Sequence, residues 1–287
     1  MRSHISAALM GLVLGVVSAC ATQLIVPTQI RQIEDAVEKA EPGDTVFVLN
    51  GIYNEQLTMR DSVVLLGEDI QKTVIYGNGI DPVIKGADFA RIQNLTVKAG
   101  SIGVLCENKR MIIDHVYVTE NRQTGIHCLI GLPVIRNCII SRNKWTGIYC
   151  ESVQGFRGPL EHNVFAENGY SGVMLAGKTN VVLQDNVFAN NRQYGIWVSQ
   201  DSRKSRIAHN SLYNNRNAFN SFALVNNTNS QADPGFAPLV PNTYDYFAFD
   251  APSLSGLGSN SGSIGLTTSQ PYDRMSPDST ERTSLGR

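Results

Sequence analysis

The stretch VVLQDNVFANNRQYGIWV, Val181 to Val198, decides the fold, because it is one copy of a phrase written six times. The apolar residues that open the copies are Ile92, Ile113, Ile135, Leu160, Leu183 and Ile207, separated by 21, 22, 25, 23 and 24 residues. Eight residues after each of the last five stands an asparagine: Asn121, Asn143, Asn168, Asn191 and Asn215. Four residues after the first four of these, a glycine starts a short apolar strand: Gly125, Gly147, Gly172 and Gly195. Gly103 holds that place in the first copy, and Ala218 stands one residue early in the last. Self-similarity at a period of about 20–50 residues marks a solenoid, whose repeats bury their apolar faces only against one another.

Within a copy, one strand runs to a corner and a second follows; an Asn-rich turn comes next and the Gly-led strand closes the coil. Asn163, Asn186 and Asn210 share the first corner, where earlier copies carry Leu95, Val116 and Cys138. Asparagines stacked at one position can hydrogen-bond along the axis, so this set is read as structural. Cys106, Cys128 and Cys150 also share one position. Parallel neighbours roughly 4.8 Å apart fall within the Cα range of a disulfide. In-register side chains, however, point the same way, and cysteine serves well as a small buried hydrophobe. An inward stack of thiols is therefore preferred to a bridge, although an oxidising compartment permits one.

Outward from the repeats, Ile30, Ile33, Val37 and Ala40 make an apolar stripe at helical spacing over Gln29 to Lys39. Such a helix would cap the open end of the stack. Val46 to Leu49, Leu57 to Met59, Val63 to Leu66 and Val74 to Tyr76 read as short strands of less regular entry coils. Past Phe219 the period fades, and the segments Ala232 to Pro238 and Thr243 to Gly265 are expected to cover the far end. From about Ser269 the chain is polar and disorder is expected. Arg2 followed by the apolar run Ile5 to Val17 reads as a signal peptide, too short to span a bilayer. The expected division is 1–20 signal, 21–44 tether and helix, 45–240 solenoid, and 241–287 closing segment and tail.

The helix followed by PGDTVFV (Pro42 to Val48), GIYNE, VVLLGED and TVIYGNG resembles the entry coils of the pectin-lyase-like, right-handed parallel β-helix superfamily. The resemblance covers roughly residues 29 to 240. It implies an all-β fold, a right-handed single-stranded parallel β-helix (solenoid) with a short N-terminal capping helix. The ending Val17-Ser18-Ala19-Cys20 resembles the bacterial lipobox. That implies lipidation at Cys20, and Ala21 rather than Asp after it implies the outer membrane, facing the periplasm. A plain secretory signal with a chance cysteine is the competing reading.

A formal net charge of -1 and the absence of a long Lys/Arg run argue against nucleic acid as partner. No cofactor is expected, and a monomer is. His115, His162 and His209 recur at the first corner, but alternate coils lie about 9.6 Å apart, too far to share one metal ion.

Side chains alternate along a strand. If Val104, Ile126, Ile148, Val173 and Ile196 point inward, their followers form an outward row, Leu105, His127, Tyr149, Met174 and Trp197. A second outward row reads Glu107, Leu129, Glu151, Ala176 and Ser199. Turns before this strand add Arg122, Arg142, Lys144, Trp145, Tyr170, Arg192 and Tyr194. Aromatic faces meet sugar C–H groups and guanidinium groups pair with carboxylates, so the face suits an acidic, uronate-type polysaccharide. Tyr149, Trp197, Arg142, Lys144 and Arg192 are the candidate substrate contacts. His127, Glu151 and Glu107 are the candidate catalytic groups, of lyase or glycoside-hydrolase type if a reaction occurs. The two glutamates, two coils apart at roughly 9.6 Å, lie near the upper end for an inverting pair. The Asp-Asp-Arg set of pectin methylesterases and the Asp-Pro-His signature of alginate epimerases are absent, since Gly235 follows Asp233-Pro234. The resemblance is thus to the scaffold, without a recognisable catalytic set. A non-catalytic assembly lipoprotein offering a rigid rod to protein partners is the alternative from another class.

Overall fold

In the computed structural model the opening residues of the six copies sit directly above one another. Ile92, Ile113, Ile135, Leu160, Leu183 and Ile207 pair in parallel register, and all six point into the core. The structure describes residues 21–107, 109–223, 228–240, 243–245, 258 and 264–266. The signal segment with Cys20 and the tail from Ser269 lie outside the described residues.

One ladder of nine strands runs from Gln23–Val26 to Arg206–Ala208, and the Gly-led ladder has eight, from Leu57–Thr58 to Asn217–Phe219. A third stretch, Ile139–Ser141, Val164–Ala166, Val187–Ala189 and Ser211–Tyr213, continues the second half of the long strand Ile112–Thr119. All these pairings are parallel, and every coil donates its backbone hydrogen bonds to the next. The chain is therefore a β-solenoid, as the period required.

The corners hold two columns of left-handed backbone. Asn94, His115, Asn137, His162, Asp185 and His209 have φ between 53° and 58° at the first corner. Ala99, Glu120, Arg142, Glu167, Asn190 and Asn214 have φ between 48° and 61° at the second. Left-handed backbone is unfavourable for these residues, so each corner needs compensating bonds. Directly after the first column comes the expected ladder: Asn163 bonds Asn186, Asn186 bonds Asn210, and Asn210 bonds Asn229. The repeat asparagines, read from the sequence only as turn markers, form a second ladder. Nδ2 of Asn121, Asn143, Asn168 and Asn191 each donates to Oδ1 of the next at 2.8–3.1 Å. The backbone N–H of each of these four donates to the same oxygen.

Glycine opens the closing strand because the second ladder leaves no room. A Cβ on Gly125 would lie 2.7 Å from the Gly147 carbonyl oxygen and 2.8 Å from Nδ2 of Asn143. Inside, Phe165 stacks on Phe188 with ring centroids 4.8 Å apart and planes 12° apart. Cys106, Cys128 and Cys150 pair in register, buried and unbridged, as the stack of thiols predicted. Hydrogen bonds with its two neighbours, together with burial, push the Cys128 thiol well above its ordinary value. Burial also pushes Cys138 up. These thiols are inert in the folded protein.

The helix is shorter than its stripe suggested, Ile33–Lys39, because Gln29 and Ile30 instead donate to the Ile25 carbonyl in a turn. Its first N–H groups are capped from a distance: Ile33 N and Glu34 N donate to Oε1 and Oε2 of Glu55 at 3.1 and 2.9 Å. Ile33, Ala36 and Val37 join the common core. Much of the segment expected to close the far end lies outside the described residues, and two of its described residues reach the flank. Phe236 and Ile264 pack on the outward side of Ile139, Val164 and Val187. Gly265 N donates to the Asp185 carbonyl, and the Gly265 carbonyl lies 3.1 Å from Nδ1 of His162. That flank explains why the strand Val164–Ala166 is buried on both faces.

Candidate functional site

On the Gly-led sheet the alternation holds. Val104, Ile126, Ile148, Val173 and Ile196 are fully buried. Leu105, His127, Tyr149, Met174 and Trp197 pair in register as one outward row, each partly exposed. The second row also forms, with Leu129 paired between Glu107 and Glu151. Parallel stacking turns a residue type repeated at one place in the phrase into a column on the surface, and so builds an extended face from short strands.

The centre of this face is an aromatic group from two coils. The His127 and Tyr149 ring centroids are 4.9 Å apart, and those of Tyr149 and Trp145 are 5.1 Å apart, both tilted. Trp145 was not among the leading candidates; it stands in the turn before its strand, and the turn brings it back over Tyr149. Farther along, Tyr170 and Tyr194 make an edge-on pair at 5.8 Å. The sheet thus carries a ribbon of aromatic surface from His127 to Trp197, each of whose faces can meet the C–H side of a sugar ring.

His127 lies between two carboxylates. Its Nε2 is 3.5 Å from Oε2 of Glu151, close enough for charge attraction but not aligned as a hydrogen bond. Burial lowers the imidazole pKa, and the opposing attraction of Glu151 and Glu107 does not restore it. At neutral pH the ring is therefore uncharged and able to accept a proton. The Tyr149 phenol is pushed up by burial and by the Glu151 charge, so it stays protonated.

The sign of the His127 shift gives a testable result. A native pKa below the unfolded value of about 6.5 means the unfolded chain binds the proton first. Stability should be unaffected above that value and should fall as pH drops through the lower native pKa. Imidazole resonances followed by NMR should show His127 titrating below an unperturbed histidine. A value at or above the ordinary one would contradict this environment.

The three basic candidates separate. Lys144 and Arg192 are exposed on the turns beside the sheet. Arg142 occupies the second left-handed column and turns to Glu167, with Nε 2.7 Å from Oε2. It faces its neighbouring coil rather than the aromatic ribbon. The corner histidines likewise serve the scaffold: His115 Nδ1 is 2.8 Å from Oδ1 of Asp114, which also meets Arg136 at 3.3 Å and Asn137 at 3.1 Å. Burial raises the Asp114 pKa, but His115, Arg136 and Asn137 outweigh it and hold the carboxyl below the usual range. No group of three His, Cys, Asp or Glu arranged for a metal occurs among the described residues.

The family model for the right-handed β-helix region matches residues 78–233. No curated protein matches the chain. Among solved structures, pectin methylesterase PemA from Erwinia chrysanthemi is 13% identical, with a TM-score of 0.52, covering 69% of this chain and 80% of that one. The A-module of mannuronan C-5 epimerase AlgE4 from Azotobacter vinelandii is 17% identical, with a TM-score of 0.48, covering 65% and 67%. Pectin methylesterase from Aspergillus niger is 13% identical, with a TM-score of 0.46, covering 81% and 94%. At these identities the likeness is one of fold.

Proposed function

Because this chain belongs to the right-handed β-helix family, whose model spans more than half of it, we propose that it binds an acidic polysaccharide along the Gly-led face and processes it there. The observation that carries this is the contiguous Trp145–Tyr149–His127 group, set in a row that continues to Trp197. A ribbon of exposed rings along a rigid rod fits a long, stiff ligand better than a compact one. Pectin, in the name of the Erwinia enzyme, is a polymer of this class. In this reading His127 takes a proton from the sugar, being uncharged and near Glu151 and Glu107. The protein acts in the cell envelope, anchored through a lipid at Cys20.

The test is a binding screen against polyuronates and neutral glycans, with Tyr149→Ala and Trp197→Ala beside the parent. Saturable binding to a polyuronate that weakens at least tenfold in both variants is expected. Appearance of unsaturated uronate ends, read by ultraviolet absorbance and absent in His127→Gln, would identify the reaction as a lyase. Failure to bind any glycan would sink the proposal and favour a rod that presents itself to protein partners.

A further inference from the structure

We propose that the turn Asn78-Gly79-Ile80-Asp81 is a self-modification site, where the Asn78 side-chain amide becomes an acid through attack by the chain's own backbone. The sequence offers three Asn-Gly pairs: Asn50-Gly51, Asn78-Gly79 and Asn168-Gly169. In each, glycine leaves the neighbouring backbone nitrogen unshielded by a side chain and free in its dihedrals. The residue types are equal at the three places, and the structure separates them. Asn168 is fully buried in the second ladder, its Nδ2 donating to the Ile140 carbonyl and to Asn191 Oδ1, each at 3.0 Å. The nitrogen of Gly169 is also engaged, by the Asn143 carbonyl at 2.9 Å. Asn50 is exposed, but Gly51 N donates to the Lys72 carbonyl at 2.9 Å, beside the pairing of Gly51–Tyr53 with Thr73–Tyr76. Both of these nitrogens are tied up.

Asn78 differs on every count. It is exposed, and Gly79 N, in left-handed backbone with φ of 76°, donates to no acceptor among the described residues. The Asn78 carboxamide is held from three sides. Its Oδ1 accepts from the backbone N–H of Ile80 and of Asp81, each at 2.9 Å. Its Nδ2 donates to Oδ2 of Asp81 at 2.9 Å. Two N–H donors on one carbonyl oxygen draw electron density from Cγ and stabilise the charge that oxygen gains when a nucleophile adds. Arg122 lies against the next residue, since a Cβ on Gly79 would be 2.8 Å from both Cζ and Nε of its guanidinium. A cation there favours the anionic form of the Gly79 peptide nitrogen.

The step balances with water as the only reactant. Hydroxide removes the Gly79 N–H proton, and the nitrogen bonds to Asn78 Cγ while the carbonyl electrons move onto Oδ1. The Cγ–Nδ2 bond then breaks, and the nitrogen leaves as ammonia after taking a proton from water, which closes a cyclic imide. Water adds to either imide carbonyl and opens the ring to aspartate, or to isoaspartate with the chain routed through the side chain. One water is consumed and one ammonia is released. Either product sets a carboxylate where an amide donated to Asp81, so attraction across the turn becomes repulsion. The result is a slow, one-way gain of negative charge that loosens this turn and leaves the ladders untouched.

Incubation of the intact chain in mildly alkaline buffer, followed by digestion and mass spectrometry of the three Asn-Gly peptides, tests this. The readout is the amide-to-acid mass change, with isoaspartate detected by enzymatic methyl transfer. A parallel sample unfolded in guanidinium chloride gives the rates set by sequence alone. In the folded chain Asn78 should convert at least tenfold faster than Asn50 and Asn168, whereas the three unfolded rates should agree within threefold. Asn78→Asp, which begins as the product, should lack the fast component. Folded-state conversion of Asn50 or Asn168 as fast as that of Asn78 would overturn the site. So would a folded rate at Asn78 more than tenfold below its unfolded rate, or a fast component that persists in Asn78→Asp.

Discussion

Replacing Asn168 with alanine should destabilise the protein by about 3–5 kcal/mol, because several buried polar groups lose their partner at once. Oδ1 of Asn168 accepts from the backbone N–H of Asn143 at 3.2 Å and from its Nδ2 at 3.1 Å. Nδ2 of Asn168 donates to the Ile140 carbonyl at 3.0 Å and to Oδ1 of Asn191 at 3.0 Å. Asn168 is fully buried, so water cannot take over. The Asn143 N–H and the Ile140 carbonyl would be left without these bonds. The adjoining left-handed residues Arg142 and Glu167 would also lose the bonded turn that holds them. Urea unfolding followed by circular dichroism measures the loss. Asn215→Ala, half-exposed at the end of the same ladder, is the comparison and should lose clearly less. Equal small losses at both sites would show that the ladder does not hold the coils.

Phe165→Ala should cost about 3–5 kcal/mol for a different reason, the cavity left by a large ring. Phe165 is fully buried and stacked flat on Phe188, and both flank the narrow space where Gly172 passes. Coils contact only their neighbours, so the collapse needed to fill the void would have to distort the adjacent ladder. Phe165→Leu, which keeps most of the volume, should cost about 1–1.5 kcal/mol. Comparable losses for the two variants would show that the site repacks freely and that the ring stack is not a structural join.

The architecture was legible because it depends on period. A spacing of 21 to 25 residues between Ile92 and Ile207 became in-register pairing, and alternation in the Gly-led strand placed His127, Tyr149 and Trp197 on one outward row. Vertical neighbours follow from the phrase itself. Contacts between unlike positions do not. Trp145 reaches Tyr149 through the shape of its turn, whereas Arg142 and Glu167, seven residues after Ile135 and Leu160, hold like positions in adjacent coils and could have been paired from the phrase. The second asparagine ladder could have been found, since Asn121 to Asn215 recur as regularly as Asn163 to Asn210. The docking of Ile264 on the flank could not, because nothing local in that segment names partners that lie 77 (Val187) to 125 (Ile139) residues away.

The most direct measurement is intrinsic fluorescence during titration with oligogalacturonate. The chain has two tryptophans, and both Trp145 and Trp197 stand on the Gly-led face, so their emission reports that face alone. A saturable change in emission, weakened at least tenfold in Tyr149→Ala, is the predicted result. Calorimetric binding with unchanged tryptophan emission would place the ligand elsewhere on the solenoid and contradict the assignment of the site.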